Sequence, residues 1–233
     1  MAERDSTSIN GKTGTAIAAV WPDAAGFILA GGRSSRMGED KALVRFAGRP
    51  LVEIALEVLR QAGLEAFIAG ARSSLADFAH VVEDAEAGLG PLGGITAGLD
   101  ATARRRAVFL PVDLPLLPAS LLRYLLLHAQ ITGRAITVAS VNGFAQSFPA
   151  VVDREALPLL RSELEVGRRG CFAGFQAACA ALGEPMNVLG VEPLVQCGQV
   201  SHPEALPPAL WFLNVNSPAD LQRAEARRPS LIA

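Results

Sequence analysis

Short apolar runs of strand length recur along this chain, each followed by a stretch with helical spacing, and that alternation leaves few architectures open. GFILA (26–30) is one such run. PLVEIALEVLRQAG (50–63) follows it, with Leu51, Ile54, Ala55, Val58 and Leu59 on one helical face, Pro50 near the first turn and Gly63 as the stop. LEAFIAGA and HVVED supply two further strand-like runs, GGITAGLDATA a helix after a glycine turn, and AVFLPVD a strand ending at Asp113. PASLLRYLLLHAQ is strongly helical. Beyond it, AITVAS and FPAVVD read as strands, 156–166 and 170–182 as helices, and MNVLGVE and LWFLNVN as the last strands. SPADLQRAEARR opens a final helix with Ser217 as N-cap, Pro218 at the first helical position and Asp220 three residues after the cap. Strands alternating with helices in this way predict an α/β fold: three layers, α/β/α, around a mostly parallel, Rossmann-like sheet.

The chain has 233 residues, half of them apolar, which is material for a substantial core. Residues 23–228 are expected to form one domain. Residues 1–22 are polar apart from the short run TAIAAVW, too short for a secretory signal, and read as a flexible tail. The most apolar stretch, AVFLPVDLPLLPASLLRYLLLHA, is interrupted by Asp113, Arg123 and three prolines. A spanning helix wants about 20 apolar residues without such breaks, so no membrane partner is expected. A net charge of −2 gives no general pull toward nucleic acid or anionic lipid. Any anion must therefore meet a local site. The cysteines, Cys171, Cys179 and Cys197, are odd in number and lack C-x-x-C spacing, which argues against a disulfide framework or zinc knuckle and for thiols in a reducing cytoplasm. His80, His128 and His202 show no metal-site spacing and read as structural.

The local site is suggested by FILAGGRSSRMGEDKAL (27–43). Gly31 and Gly32, directly after a strand, let backbone amides approach an anion closely. Arg36 and Lys41 add charge-assisted donors suited to phosphate oxygens. Together they make a triphosphate cradle; the plainer alternative is a glycine turn with solvated cations. It is not a Walker A loop, which needs Gly-Lys-Ser/Thr. Asp113, at the C-terminal end of an apolar strand, lies where open α/β sheets bind ligands. A desolvated carboxylate needs a partner, and Mg²⁺ shared with substrate phosphates is the natural one, against the alternative of an Asp opening the turn before Pro115.

Two further stretches matter. Gly88, Gly90 and Gly93 spell G-x-G-x-x-G, and Asp113 falls twenty residues after Gly93, as in a dinucleotide fingerprint with its ribose acid. Glu83, Asp84 and Glu86 just before these glycines, and Pro91 within the turn, weigh against an NAD-dependent oxidoreductase, which would also leave the cationic loop unexplained. Asp84 is suited to accept from a nucleobase or sugar, or simply to form an Asx turn. In NVNSP, Asn214 and Asn216 follow an apolar run and precede a capped helix; their amides either hold substrate or a metal-bound water, or only shape the turn.

Taken together, these blocks resemble the MobA-like molybdenum cofactor guanylyltransferases, within the wider nucleotidyltransferase group. LAGGRSSRMGEDKAL resembles their LAGGxSxRMGxDKxL signature, VVEDAEAGLGPLGGITAGL their ED and GPLxG block, PVDLPLL the strand with the metal Asp, and NVNSPADL their terminal NxNTPxDL. The resemblance implies a sheet of the nucleotide-diphospho-sugar transferase type. It implies nucleotide contacts at Leu29, Ala30, Gly31, Gly32, Arg36, Lys41, Asp84, Gly90 and Gly93, catalytic roles for Arg36, Lys41 and Asp113, Mg²⁺ on Asp113, and an acceptor side at Asn214 and Asn216. The implied reaction takes GTP and molybdopterin to the guanine dinucleotide cofactor and pyrophosphate, in the cytoplasm, with transient contacts to other cofactor-synthesis proteins or apo-molybdoenzymes. The chain departs from the pattern at Ala69, where relatives carry a base-reading Asn, and over 168–200, where the pterin acceptor is expected. Related activities, such as transfer from CTP or to another phosphate acceptor, and a non-catalytic cofactor carrier, are the competing expectations.

Overall fold

β1 (Ala24–Leu29) is buried at every position, as a central parallel strand covered on both faces must be. It belongs to a computed structural model that describes residues 21–30, 40–70, 73–83 and 88–227. After β1 come a 3-10 turn at Lys41–Leu43, the short ladder β2 (Arg45–Phe46) and β3 (Arg49–Pro50), and α1 (Leu51–Gln61). The chain continues through β4 (Glu65–Ala69), β5 (Val81–Val82), α2 (Gly90–Ala101), β6 (Arg106–Pro111) and α3 (Ala119–Thr132). Then follow β7 (Ile136–Val141), β8 (Phe144–Asp153), α4 (Leu157–Glu165), α5 (Cys171–Ala181) and β9 (Asn187–Gly190). α6 (Val191–Gln196), α7 (Pro208–Trp211) and α8 (Pro218–Glu225) complete it.

Seven strands form one sheet in the order β5-β4-β1-β6-β8-β7-β9. All neighbours are parallel except where β8 runs antiparallel between β6 and β7. The mostly parallel α/β sandwich expected from the alternating pattern is therefore what forms. Alternate residues of β1 and β6 feed two cores. Ile28, Val108 and Leu110 pack with α1 and α3, while Phe27, Leu29 and Phe109 pack with α2, α4 and α5. From β1 the chain crosses by α1 to β4 on one side, then returns by α2 to β6 on the other. The direction reverses between β1 and β6, and open α/β sheets bind ligands in the crevice at such a point.

The GPLGGITAGL segment is a helix, with Gly90 at its start and Pro91 in its first turn. Its glycines have a packing reason: a Cβ on Gly94 would lie 2.9 Å from Leu29 Cδ2, and one on Gly98 2.9 Å from Phe109 Cε1. Bare helix backbone is thus what lets α2 settle onto β1 and β6.

Two expectations change. LWFLNVN is not a strand: Pro207 and Pro208 start the helical turn α7, which buries Trp211, and its indole N–H donates to the Leu206 carbonyl at 2.8 Å. Residues 212–216 then run without a ladder, because both neighbours of β6 are already in place as β1 and β8. Trp21 is the second. Although 1–22 has the composition of a tail, its indole N–H donates to the Ala62 carbonyl at 2.9 Å, and the ring packs on the α1 core. The rest of that segment, 1–20, lies outside the described residues.

Candidate active site

β1 and β6 end side by side, with Leu29 in register with Pro111, and the Val112 N–H reaches the Leu29 carbonyl. Asp113 therefore leaves the sheet at the crevice. Its Oδ2 receives the Lys41 ammonium at 2.7 Å, and the same Nζ donates to Asn216 Oδ1 at 2.5 Å. The side chains of Lys41 and Asp113 are 19% and 18% exposed, so this is a largely desolvated pair rather than a surface bridge.

Each member is held from behind. Lys41 opens a 3-10 turn whose N-cap, Asp40, accepts from the Ala42 N–H at 3.0 Å, and Ala42 and Val44 are buried in the α1 core. Asn216 is tied by its N–H to Asp220 Oδ2 at 3.1 Å, and Ser217 caps α8. The neighbouring Val215 N–H donates to the Asp113 carbonyl at 2.9 Å, which fastens the two segments together. The Asp220 carboxyl lies below the usual carboxylate range, chiefly through the Ser217 hydroxyl and then Arg223.

Asp113 Oδ1 is buried and has no hydrogen-bond partner among the described residues. Buried carboxylate oxygens are normally satisfied, so a stranded one fits a cation ligand. Mg²⁺ takes one or two carboxylates and leaves its other positions to water and phosphate oxygens. A single Asp beside an open cleft therefore suits it. No cluster of three or more His, Cys, Asp or Glu side chains occurs among the described residues.

A cleft of about 300 Å³ opens beside Asp113, lined by Pro91, Pro111, Leu114, Gln146, Ser147, Phe148, Phe212 and Asn214. Asn214 thus reaches the cleft while Asn216 reaches Lys41. Pro91, in the first turn of α2, lines the same opening, and Gly90 and Gly93 are its neighbours in that turn. Gly90 has φ +71°, and the Gly93 carbonyl is already taken by Thr96 Oγ1 at 2.9 Å. The Ala30 N–H donates to the Ala69 carbonyl at 3.1 Å, so a ligand contact from Ala30 runs through its own carbonyl. Ala69 is fully buried and has no polar side chain to offer a base. Gly31, Gly32, Arg36 and Asp84 lie outside the described residues. The ribose acid of the dinucleotide fingerprint is already engaged, since Asp113 is held by Lys41. Gln146, Ser147, Phe148 and Phe212 are cleft residues that no periodicity in the sequence picks out. Segment 168–200 folds as α5, β9 and α6, and touches the cleft from behind, where Phe175 meets Phe148 edge-on at 6.5 Å between centroids.

Known proteins share both pattern and shape. Residues 26–179 match the family model of the MobA-like NTP transferase domain. A "Molybdenum cofactor guanylyltransferase" of Xanthomonas euvesicatoria is 48% identical over 107 residues, 45% of this chain and 54% of that protein, so the match spans about half of that relative. A "Probable molybdenum cofactor guanylyltransferase" of Pelotomaculum thermopropionicum is 31% identical over 206 residues, covering 86% of this chain and 91% of its own. Among solved structures, Molybdopterin-guanine dinucleotide biosynthesis protein A from Archaeoglobus fulgidus shares the fold with a TM-score of 0.69 at 21% identity, over 87% of this chain and 97% of that one. By the family model over residues 26–179 and the relative matched along most of its length, the chain belongs to the MobA-like NTP transferase family.

Proposed function

We propose that this protein transfers GMP from GTP to the terminal phosphate of molybdopterin, forming the guanine dinucleotide cofactor and pyrophosphate. The observation that carries this reading is the Lys41 ammonium shared by Asp113 and Asn216 at the mouth of the crevice. A cation bridging a carboxylate and an amide is poised to exchange them for phosphate oxygens. The names of the relatives, guanylyltransferases of the molybdenum cofactor, support the choice of substrates.

An oxygen of the acceptor phosphate attacks the α-phosphorus of GTP in line. The bond from that phosphorus to the bridging oxygen breaks, and the electron pair leaves with pyrophosphate. The nucleophile is already anionic, so no base has to deprotonate it. Lys41 offsets charge that builds on the leaving group, with Arg36 from the same signature, and Asn214 and Asn216 steady the acceptor. The strand-one loop from Leu29 to Gly32, Asp84, and the first turn of α2 at Gly90 and Gly93 hold the nucleotide. Asp113 would hold Mg²⁺ through its free Oδ1; when bound, the ion neutralises phosphate charge. The active unit is taken as one domain over 23–228, working in the cytoplasm and handing its product over by transient contact with cofactor-synthesis proteins or apo-molybdoenzymes. Among the described residues, no helix is long and apolar enough to cross a membrane.

The test is pyrophosphate release from purified protein with Mg²⁺, molybdopterin and GTP, CTP, ATP or UTP in turn. Release with GTP alone is expected. Release with CTP instead would keep the chemistry and overturn the base, and silence with all four would overturn the reading. Asp113→Asn separates an enzyme from a carrier: turnover should vanish, whereas a carrier would deliver cofactor unchanged.

A further inference from the structure

One wall of the cleft is not explained by the Lys41 site. β7 and β8 pair at Val138 with Ala150 and again at Ser140 with Ala145. Between those points β7 supplies Ala139 alone, while β8 supplies Gln146, Ser147, Phe148 and Pro149. An ordinary bulge carries one extra residue, and bulges cluster beside active sites, where they re-aim side chains. Here the surplus swells toward Asp113, for Gln146, Ser147 and Phe148 all line its cleft.

The bulge presents a defined chemical face. Gln146 Nε2 donates to the Phe144 carbonyl at 2.9 Å, which fixes the orientation of the amide. Its Oε1 accepts from no described residue and is left as an acceptor on a half-buried wall. The Phe148 ring is held by Phe175 at an interplanar angle of 81°, and Phe212 lines the same cleft. A cleft with aromatic and apolar walls and one oriented acceptor suits a flat nitrogen heterocycle with N–H donors at its edge.

We propose that the β8 bulge is the subsite for the ring system of the acceptor, with Gln146 the residue that reads its N–H edge. The inference rests on the guanylyltransferase reading, which supplies a pterin bearing a terminal phosphate. The phosphate then lies toward Asp113 and Lys41 while the ring lies against Gln146 and Phe148.

The experiment has two arms. In the first, pyrophosphate release is measured with molybdopterin varied at saturating GTP, and the reverse, for wild type, Gln146→Ala and Phe148→Leu. Gln146→Ala should raise the KM for molybdopterin about tenfold, the size expected for one unmade hydrogen bond, and leave the KM for GTP unchanged. Phe148→Leu should move the same parameter. In the second arm, a pterin monophosphate is titrated by its own fluorescence with no nucleotide present, and Gln146→Ala should weaken its Kd about tenfold. Equal pterin binding by wild type and both variants would overturn the subsite even if guanylyl transfer proceeds. A wild type that binds the pterin through Gln146 but releases no pyrophosphate would support the subsite and overturn the transfer reaction instead.

Discussion

Lys41 and Asp113 meet at 2.7 Å although 72 positions separate them in the chain. Asp113 is thus half satisfied, Oδ2 by the ammonium, while Oδ1 is buried with no hydrogen-bond partner among the described residues. On the proposed function, the ammonium would exchange this contact for phosphate oxygens and the free Oδ1 would be open to a metal ion.

On the proposed reaction, Lys41→Ala removes the ammonium that offsets charge on the leaving pyrophosphate. Loss of one preorganised donor of this kind lowers kcat about 10²–10³-fold. Lys41→Arg should not restore it, since a planar fork does not reproduce a point charge shared between Asp113 and Asn216. Steady-state pyrophosphate release with GTP is the measurement; unchanged turnover in Lys41→Ala would mean that the phosphates bind elsewhere.

Asn216 owes its place to Asp220, and that gives a pH signature. The Asp220 carboxyl is depressed by the Ser217 hydroxyl and by Arg223, so it contributes stability above its unfolded value, near the ordinary carboxylate value of about 4. That contribution disappears as pH falls through the depressed folded value. Asp220→Ala should therefore melt below wild type at pH 7, and the gap should close in acid below about pH 4. A gap that widens on acidification contradicts the assignment.

Most of the fold was legible because buried parallel strands and amphipathic helices write their periods into the sequence. Of the site, Lys41 and Asp113 could be read singly, each as an ion of a type and place that wants a partner, but not their contact with one another. The hairpin of β7 and β8 carries its own sequence signal: Asn142-Gly143, with φ of +51° and +80°, is the dipeptide favoured in tight hairpin turns. The LWFLNVN segment misled because an apolar alternating run looks the same whether or not a sheet edge is free to receive it. The bulge that brings Gln146 to the cleft left no trace, since register is a property of two strands and the sequence shows one at a time.

The thiols should divide by burial. Desolvation pushes Cys171 up to about 12 and Cys179 up to about 11, so both are neutral and shielded near pH 8. Cys197 is exposed. A disulfide reagent at pH 8 should modify one thiol per native chain quickly and all three once urea is added. Rapid modification of more than one in the native protein would contradict the packing of α5 on the sheet.

The sheet also holds a buried charge whose removal should be felt by the whole fold. Asp153, at the end of β8, is 4% exposed and sits in register with Arg106 on β6. Its Oδ2 takes the Arg105 Nε–H at 2.8 Å and lies 3.6 Å from the Arg106 guanidinium, while Oδ1 accepts from the Glu155 N–H. Arg106 is itself 5% exposed, its guanidinium is held below its ordinary value by burial, and its Nε has no partner among the described residues. Asp153→Ala strands that cation in the core and should cost about 3 kcal/mol in urea unfolding. Replacing both partners with leucine should recover most of the loss, because a buried pair contributes little beyond cancelling its own desolvation. A loss below about 0.5 kcal/mol in the single variant, the range of ordinary surface substitutions, would mean that Arg106 finds water or another carboxylate and that the pair is not what closes this edge of the sheet.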